Sequence, residues 1–479
     1  MSIIADYLNA DDSDDADWSA EHQRSADKLL KLCQVNKGIY VKLGQHVAQL
    51  EYLLPQQYVD TLTATLTQAP QDDFSAVKRV VEQDLGASID EVFVDFEEEP
   101  IASASLAQVH RARLRSTGEL VAVKVQHEGL RELSQVDIAT ISSLVDLVKA
   151  IFPSFEFTWL ADEIKINLPR ELDFTLEGAN AERTAANFRG DERVAVPRIV
   201  WEHSSPRVLT MSFEEGCYIT NVQAIKEQGL QPADVAATFA DVFSKQIFMH
   251  GFVHADPHAG NVLVRHMPGA PGKPQLVLLD HGLYRPLDDA FRVRYARLWR
   301  ALIFGDEEGI KKVSAEMGVE GMHRLFAAIL TTKTWDSVSS SSLDSLVARG
   351  TAEEKELTSQ QAKEWSDDIR VILKDLPPEM LLLLKTNDCL RAVDLALGAR
   401  VNGFTSMALD CVDAIAADTL ARDKSWSTWL SVQADLWQVW AGISAYKWSA
   451  YLFPPPQAPV RQQAATQLAP STQTQGEQR

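Results

Sequence analysis

The chain has 479 residues, of which 46% are hydrophobic and 24% charged, enough for a two-lobed core or two to three average domains. Its 46 basic residues against 67 acidic ones give a net charge of −21 and a pI near 5.0, which argues against a non-specific nucleic-acid binder, because phosphate backbones recruit surfaces rich in Lys and Arg. Cys33, Cys217, Cys389 and Cys411 are too scattered for a zinc ribbon, a CxxC redox pair or a disulfide framework, so a reducing compartment is expected.

Asp6, Asp11, Asp12, Asp14, Asp15, Asp17 and Glu21 precede the first basic residue, Arg24, so the start is the opposite of a basic, acid-poor transit peptide. From Ser25 to about Leu85 apolar residues recur every three to four positions and predict helices. Strands follow at 91–96, 105–114 and 119–126, separated by Pro100 and the turn at 116–118, and together predict a small antiparallel meander. A mostly helical region comes next, interrupted by a strand at 207–213 and by a hairpin whose turn, PGAPGK, spans 268–273. No apolar run reaches the roughly 18 to 20 residues a membrane span needs, and Met380 to Leu384 reads as part of a buried helix. Near the C-terminus Trp426, Trp429, Leu430, Trp437, Trp440, Trp448 and Tyr451 fall within a ~100° sector of one long helix, broken by Gln433 and Ser444. This stripe is expected to dock on the rest of the protein, with an interfacial membrane helix as the alternative. Beyond Pro454 the Pro, Gln, Ala, Ser and Thr composition predicts a disordered tail. A strand-rich small lobe before a helical large lobe is the outline of a protein kinase.

The chemistry concentrates in HADPHAGN (254–261) and LLDHG (278–282). Phosphoryl transfer requires a carboxylate to orient the attacking hydroxyl and oxygen ligands to hold magnesium against the phosphates. Asp256 precedes Asn261 by five positions, the kinase spacing, and Asp280 opens DHG where kinases have DFG, so Asp256 is the expected catalytic carboxylate and Asn261 and Asp280 the metal ligands. His254 and His258 as a zinc pair is disfavoured, because Pro257 opposes the helix that would put both rings on one face. Upstream, VAVKVQ places Lys124 between Val123 and Val125 on a small-lobe strand, where an ammonium reaches the α- and β-phosphates of ATP. The carboxylate that fixes it is sought among Glu171, Asp173 and Glu177, and on one helix Glu171 and Glu177 cannot share a face, so they are expected to take different partners.

Taken with KLGQ (42–45), PIASASLAQVH (100–110), ELD (171–173) and MLLLLKTND (380–388), these motifs resemble, over about residues 25–400, the UbiB or aarF-domain atypical kinases, and most of all their type-one branch. The resemblance implies an α+β, protein-kinase-like two-lobed fold with a helical extension packed over the active site, binding of ATP or ADP with Mg2+, and a mitochondrial role near coenzyme Q or membrane-lipid homeostasis. The cytoplasm is the expectation if that likeness misleads. On this basis the organisation expected is an acidic disordered N-terminus over 1–24, the helical extension over 25–90, a kinase-like small lobe with a helical insert over 91–215 and a large lobe over 216–425. The Trp-rich helix over 426–453 and the tail over 454–479 complete it.

The resemblance also implies that Lys42, Gly44 and Gln45 form a gate at the cleft with Glu171 and Asp173, Glu171 pairing with Lys42 and Glu177 with Lys124. Ala102, Ser103, Ala104, Ser105, Leu106 and Ala107 stand where kinases have GxGxxG, and their Cβ atoms restrict positive φ and close amide approach to phosphate. Met211 and Glu214, at the end of a strand, are expected in the hinge that receives adenine. Ala259 replaces the proline usual in the family loop, and His258 occupies the position two after the catalytic Asp, where protein kinases have Lys and small-molecule kinases have His. The acceptor is therefore expected to be a small, lipid-like or quinone-like hydroxyl compound. An ATPase scaffold that moves lipids or partner proteins without phosphorylating them is the alternative.

Overall fold

The structure, a computed structural model, describes residues 18–48, 55–67, 71–151, 158–331, 335–339, 376–398 and 404–452, together with Ile3, Tyr7 and Lys333. Most of the acidic start, residues 51–54 and the tail from 453 lie outside these residues, as do the side chains of Trp448 and Tyr451. The described residues divide into two compact units, one formed by Met1–Glu182 and Pro197–Glu214 and the other by Arg183–Val196 and the chain from Glu215 onward.

In the first unit a helix already begins at Ser19 and runs to Asn36, inside the stretch expected to be disordered; Ser25, Ala26 and Cys33 are buried along it. The next helices, Gly38–Ala48 and Gln56–Leu62, pack on it around Cys33, Val47, Ala48 and Leu62. Helix Phe74–Leu85 starts after Asp73 and stops at Gly86, whose φ of +66° is left-handed and costs glycine nothing. Its apolar face, Val77, Val80 and Val81, lies on a five-stranded sheet of β1 (Phe93–Val94), β2 (Ala102–Ser103), β3 (Ala107–Leu114), β4 (Leu120–Gln126) and β6 (Val208–Ser212). The order is β1-β3-β4-β6 with β2 against β3, antiparallel throughout. Val121, Val123 and Val125 all point to the helix-covered face and are at most 1% exposed, each contributing roughly 1.5–3 kcal/mol of burial. Helices Leu130–Ile151 and Thr158–Glu171 follow β4.

The second unit contains β5 (Val194–Ala195), β10 (Ala270–Leu278), β9 (Val262–Met267) and β7 (Cys217–Tyr218), in that order, with β5 parallel to β10 and the rest antiparallel. The hairpin is longer than the sequence suggests: β10 begins at Ala270, and the residues assigned to a six-residue turn are absorbed by a register shift between Ala270 and Pro274. A two-stranded ladder pairs β8 (Phe252–His254) with β11 (Tyr284–Pro286). Around these pack helices Pro232–Lys245, Asp289–Phe304, Pro378–Ala396 and Phe404–Arg422, over cores built on Phe239, Phe243, Leu276 and Leu278 and on Phe248, Tyr295, Trp299 and Leu302.

Helix Trp426–Leu452 lies against Phe404–Arg422 and buries Val432 and Val439, Val439 entering the core with Leu436 packed against it. The tryptophans face the other way: Trp426, Trp429, Leu430, Trp437 and Trp440 are all exposed. The expected docking face is thus corrected: the helix is buried through Val432 and Val439, and the described tryptophans remain exposed. No described helix is long and apolar enough to cross a membrane.

Candidate active site

Alternation along β4 sends Lys124 to the face opposite Val123 and Val125. Its ammonium donates to both carboxylate oxygens of Glu177, at 2.7 and 2.9 Å, and stands 5.2 Å from the centre of the Phe174 ring. Glu177 is 3% exposed, so this buried charge is compensated by one ammonium held bidentately. Lys42 from helix Gly38–Ala48 lies 2.7 Å from Glu171, also buried. The two carboxylates do take different partners, but not by rotation around one helix. The first helix ends at Glu171, with Pro169 removing a ladder donor, and a second starts at Phe174. Between them Asp173 caps the new helix, its Oδ1 accepting from the Thr175 amide at 3.1 Å and the Thr175 hydroxyl at 2.6 Å.

The loop of residues 102–107 is pinned from two sides. The Ala104 amide donates to the Ala107 carbonyl at 2.8 Å and the His127 amide to the Leu106 carbonyl at 3.1 Å. None of its residues adopts a positive φ, in keeping with their Cβ atoms. The side chains of Ser105, Leu106 and Ala107 are buried. Leu106 packs with Ile39, Tyr40, Leu130 and Leu172, so only Ala102, Ser103 and Ala104 present side-chain atoms outward to any degree. The Ser105 hydroxyl donates to Gln45 Oε1 at 3.2 Å, while Gln45 Nε2 donates to the Thr65 carbonyl at 3.0 Å. Gly44 permits this approach: a Cβ there would meet Thr65 Cγ2 at 2.9 Å and Cys33 Sγ at 3.1 Å. Gln108 and His110, part of the same motif, are buried and bond each other at 2.9 Å, with the Asp72 amide donating to Gln108 at 2.8 Å, which fixes the loop's exit. Met211 sits buried on β6 opposite Ala122, and Glu214 accepts from the Ser212 hydroxyl at 2.8 Å.

In the second unit the hairpin register sets the other residues. Leu278 pairs with Val262, and the Leu279 amide donates to the Asn261 carbonyl at 2.9 Å, so Asn261 and Asp280 flank the same end of the hairpin. The Asp280 Oδ1 accepts from the Gly282 amide at 2.8 Å. Asn261 Nδ2 donates to the Asp256 carbonyl at 3.4 Å, drawing the 256–261 turn closed. His254, buried on β8, receives the Asp256 amide on Nδ1 at 3.1 Å, and the Gly260 amide goes to Nδ1 of His258 at 3.1 Å. Burial holds the His254 imidazole below its ordinary pKa, so it stays neutral. Nδ1 of each ring is thus engaged in its own turn, and among the described residues no group of three or more His, Cys, Asp or Glu is gathered that could hold a metal ion. His281, where DFG kinases carry Phe, is buried, bonding the Leu278 carbonyl at 2.9 Å and the Tyr284 hydroxyl at 3.1 Å. Burial raises the Tyr284 hydroxyl above its ordinary range and keeps it protonated.

One side chain the sequence reading passed over stands beside Asp256: Lys385 Nζ is 3.5 Å from Asp256 Oδ1. It lies in the MLLLLKTND stretch quoted for the family likeness, but a lysine at the end of a leucine run gives no sign of its partner.

The fold and these loops define a kinase-like domain. The ABC1 atypical kinase-like domain family matches residues 65–314, just over half the chain, and the chain belongs to that family. It is 42% identical over 429 residues to AarF domain-containing protein kinase 1 of Gallus gallus, covering 88% of this chain and 81% of that protein. To the protein of the same name from Xenopus tropicalis it is 44% identical over 420 residues, covering 87% and 79%. A probable serine/threonine-protein kinase, abkD, of Dictyostelium discoideum is 43% identical over 387 residues, covering 81% of this chain and 55% of its own length.

Proposed function

We propose that the protein is an ATP- and magnesium-dependent phosphotransferase that acts on a small or lipid-like hydroxyl compound, in mitochondrial lipid or coenzyme Q homeostasis. The observation that carries this reading is the buried Lys124–Glu177 pair, which holds an ammonium ready on the strand where kinases read the α- and β-phosphates. Around it Ala102, Ser103 and Ala104 offer backbone to the phosphates, and Met211 to Glu214 offer backbone to adenine. Asp256 takes the proton of the acceptor hydroxyl. Asn261 and Asp280 supply the amide and carboxylate oxygens that suit a hard cation, so the donor set fits magnesium. When bound, the ion neutralises charge on the phosphates. Lys42, Gln45 and Glu171 hold the extension helix against the 102–107 loop and disfavour a protein acceptor in trans.

The mitochondrial and lipid assignment rests on the family likeness, and the exposed tryptophan face supports it. Indole carries a large apolar body and an N–H, the combination suited to the headgroup boundary of a bilayer, and the described part of the stripe offers four such rings in one sector. A second reading, an ATPase scaffold that hydrolyses without transfer, is favoured by the burial of Ser105 and Leu106 under the extension, which leaves little freedom in the loop.

Titration of the purified chain with ATP and magnesium, followed by thermal shift, tests the nucleotide site. Wild type is expected to be stabilised and Lys124→Met not; equal stabilisation of both would remove Lys124 from the site.

A further inference from the structure

Protein kinases place a lysine two residues after the catalytic aspartate, and here that position is His258, exposed, with Nδ1 turned back onto the amide of Gly260 in its own loop. A cation reaches Asp256 from another element. Lys385 extends from helix Pro378–Ala396 to within 3.5 Å of Asp256 Oδ1, each side chain retaining 27% of its exposure. We propose that Lys385 is a positioning residue for the transfer step, orienting the Asp256 carboxylate from a separate helix in place of the loop lysine of protein kinases. The inference rests on the phosphotransferase reading and deepens it.

The helix holds Lys385 by anchors that leave it little play. Met380 and Leu383, both fully buried, enter the core that contains Trp299 and Leu302. Asn387 Nδ2 donates to the buried Tyr295 hydroxyl at 3.2 Å, and Arg391 donates to the Leu330 carbonyl and, at 2.8 Å, to Asp388. Lys385 and Cys389, one turn apart, share a face. Burial pushes the Cys389 thiol up to about 12, and the negative charge of Asp256 adds to that push, which marks the same helix face as adjoining the catalytic loop over two positions. A partly exposed ion pair contributes little to stability by itself, so Lys385 is free to serve the orientation of Asp256 at little cost to the fold.

In the step itself the acceptor oxygen forms a bond to the γ-phosphorus, the bond to the β,γ-bridging oxygen breaks with its electron pair on ADP, and the hydroxyl proton passes to Asp256. Lys385 neither gains nor loses a proton; it fixes the carboxylate that receives one.

The test uses the full chain as wild type, Lys385→Met, Lys385→Gln, Lys385→Arg, Asp256→Asn and the Asp256→Asn/Lys385→Met double variant, with ADP release and ATP–magnesium affinity measured on each. Lys385→Met and Lys385→Gln are expected to bind nucleotide within about twofold of wild type but to lose at least about tenfold in kcat, a part of what a general base commonly contributes. Lys385→Arg should recover most of the rate, and in the Asp256→Asn background removal of Lys385 should cost nothing further. Turnover at the wild-type rate in Lys385→Met overturns this proposal alone, as does an equal loss in both backgrounds. A wild-type chain that binds nucleotide and releases no ADP overturns the phosphotransferase reading and this proposal together.

Discussion

Lys124 and Glu177 show how far single residues were legible. A lysine between two valines on a strand has to face away from the core, so its direction followed from alternation. Its partner, Glu177, followed only from the family resemblance, because spacing leaves Glu171, Asp173 and Glu177 open until the helix break is known, and that break goes with Asp173 capping Phe174–Asn187. Lys124→Met leaves Glu177 buried without its cation and should cost about 3 kcal/mol, while Lys124→Met with Glu177→Leu should recover much of that loss; chemical denaturation of the three chains measures it. For Asp280→Asn the fold should persist, since an amide oxygen can still accept from Gly282. Its magnesium-dependent stabilisation by ATP, about 2.7 kcal/mol when ligand is at a hundredfold excess over Kd, should vanish in a thermal-shift titration. Stabilisation equal to wild type would take Asp280 out of the metal site.

Among elements, periodicity located the long helices and the β3–β4 pair, whose alternation is strong, but it could not say which face of the Trp-rich helix is covered. Both sectors of that helix carry apolar residues, and which of them is covered is decided by tertiary packing against helix Phe404–Arg422, where Val432 and Val439 are buried. Truncation after Asp423 therefore removes core valines and should yield aggregated protein, whereas replacing Trp426, Trp437 and Trp440 together with Ser should leave a folded, nucleotide-binding chain. If the face meets a bilayer, that triple variant stops sedimenting with liposomes of phosphatidylcholine and cardiolipin that retain wild type; unchanged sedimentation would rule the face out. The extension is likewise tied to the 102–107 loop by contacts that sequence spacing does not reveal, Gln45 with Ser105 and Leu106 with Ile39. Gly44→Ala sets a Cβ against Thr65 and Cys33, loosens that tie and should change ATP affinity several-fold by fluorescence titration, while Gly86→Ala, with open space around it, should alter stability alone.

At the scale of the molecule, charge and composition set limits that the folded chain respects, but they leave stability and acceptor open. Asp410, buried on helix Phe404–Arg422, has its carboxyl raised by burial to about 6. The folded state therefore binds this proton more tightly than the unfolded one, so stability declines as pH rises from about 4 to 6, by about 3 kcal/mol at most, and stays reduced above that. Asp410→Asn should raise Tm by a few degrees at pH 8, with the gain disappearing below pH 4. The expected small lobe, 91–215, includes Pro197–Glu214, which the pairing of β6 with β4 ties to the first unit, whereas Arg183–Val196, inside the same expected span, falls in the second unit and carries no sequence signal that sets it apart. What reaches beyond architecture is the fate of the phosphate. The most direct measurement incubates the full chain with γ-labelled ATP, magnesium and hydroxyl-bearing lipids or quinone precursors, and follows the label. The phosphotransferase account predicts label on the small acceptor, little on added protein, and none in Asp256→Asn; label found only as inorganic phosphate, at a rate that Asp256→Asn does not change, would contradict it.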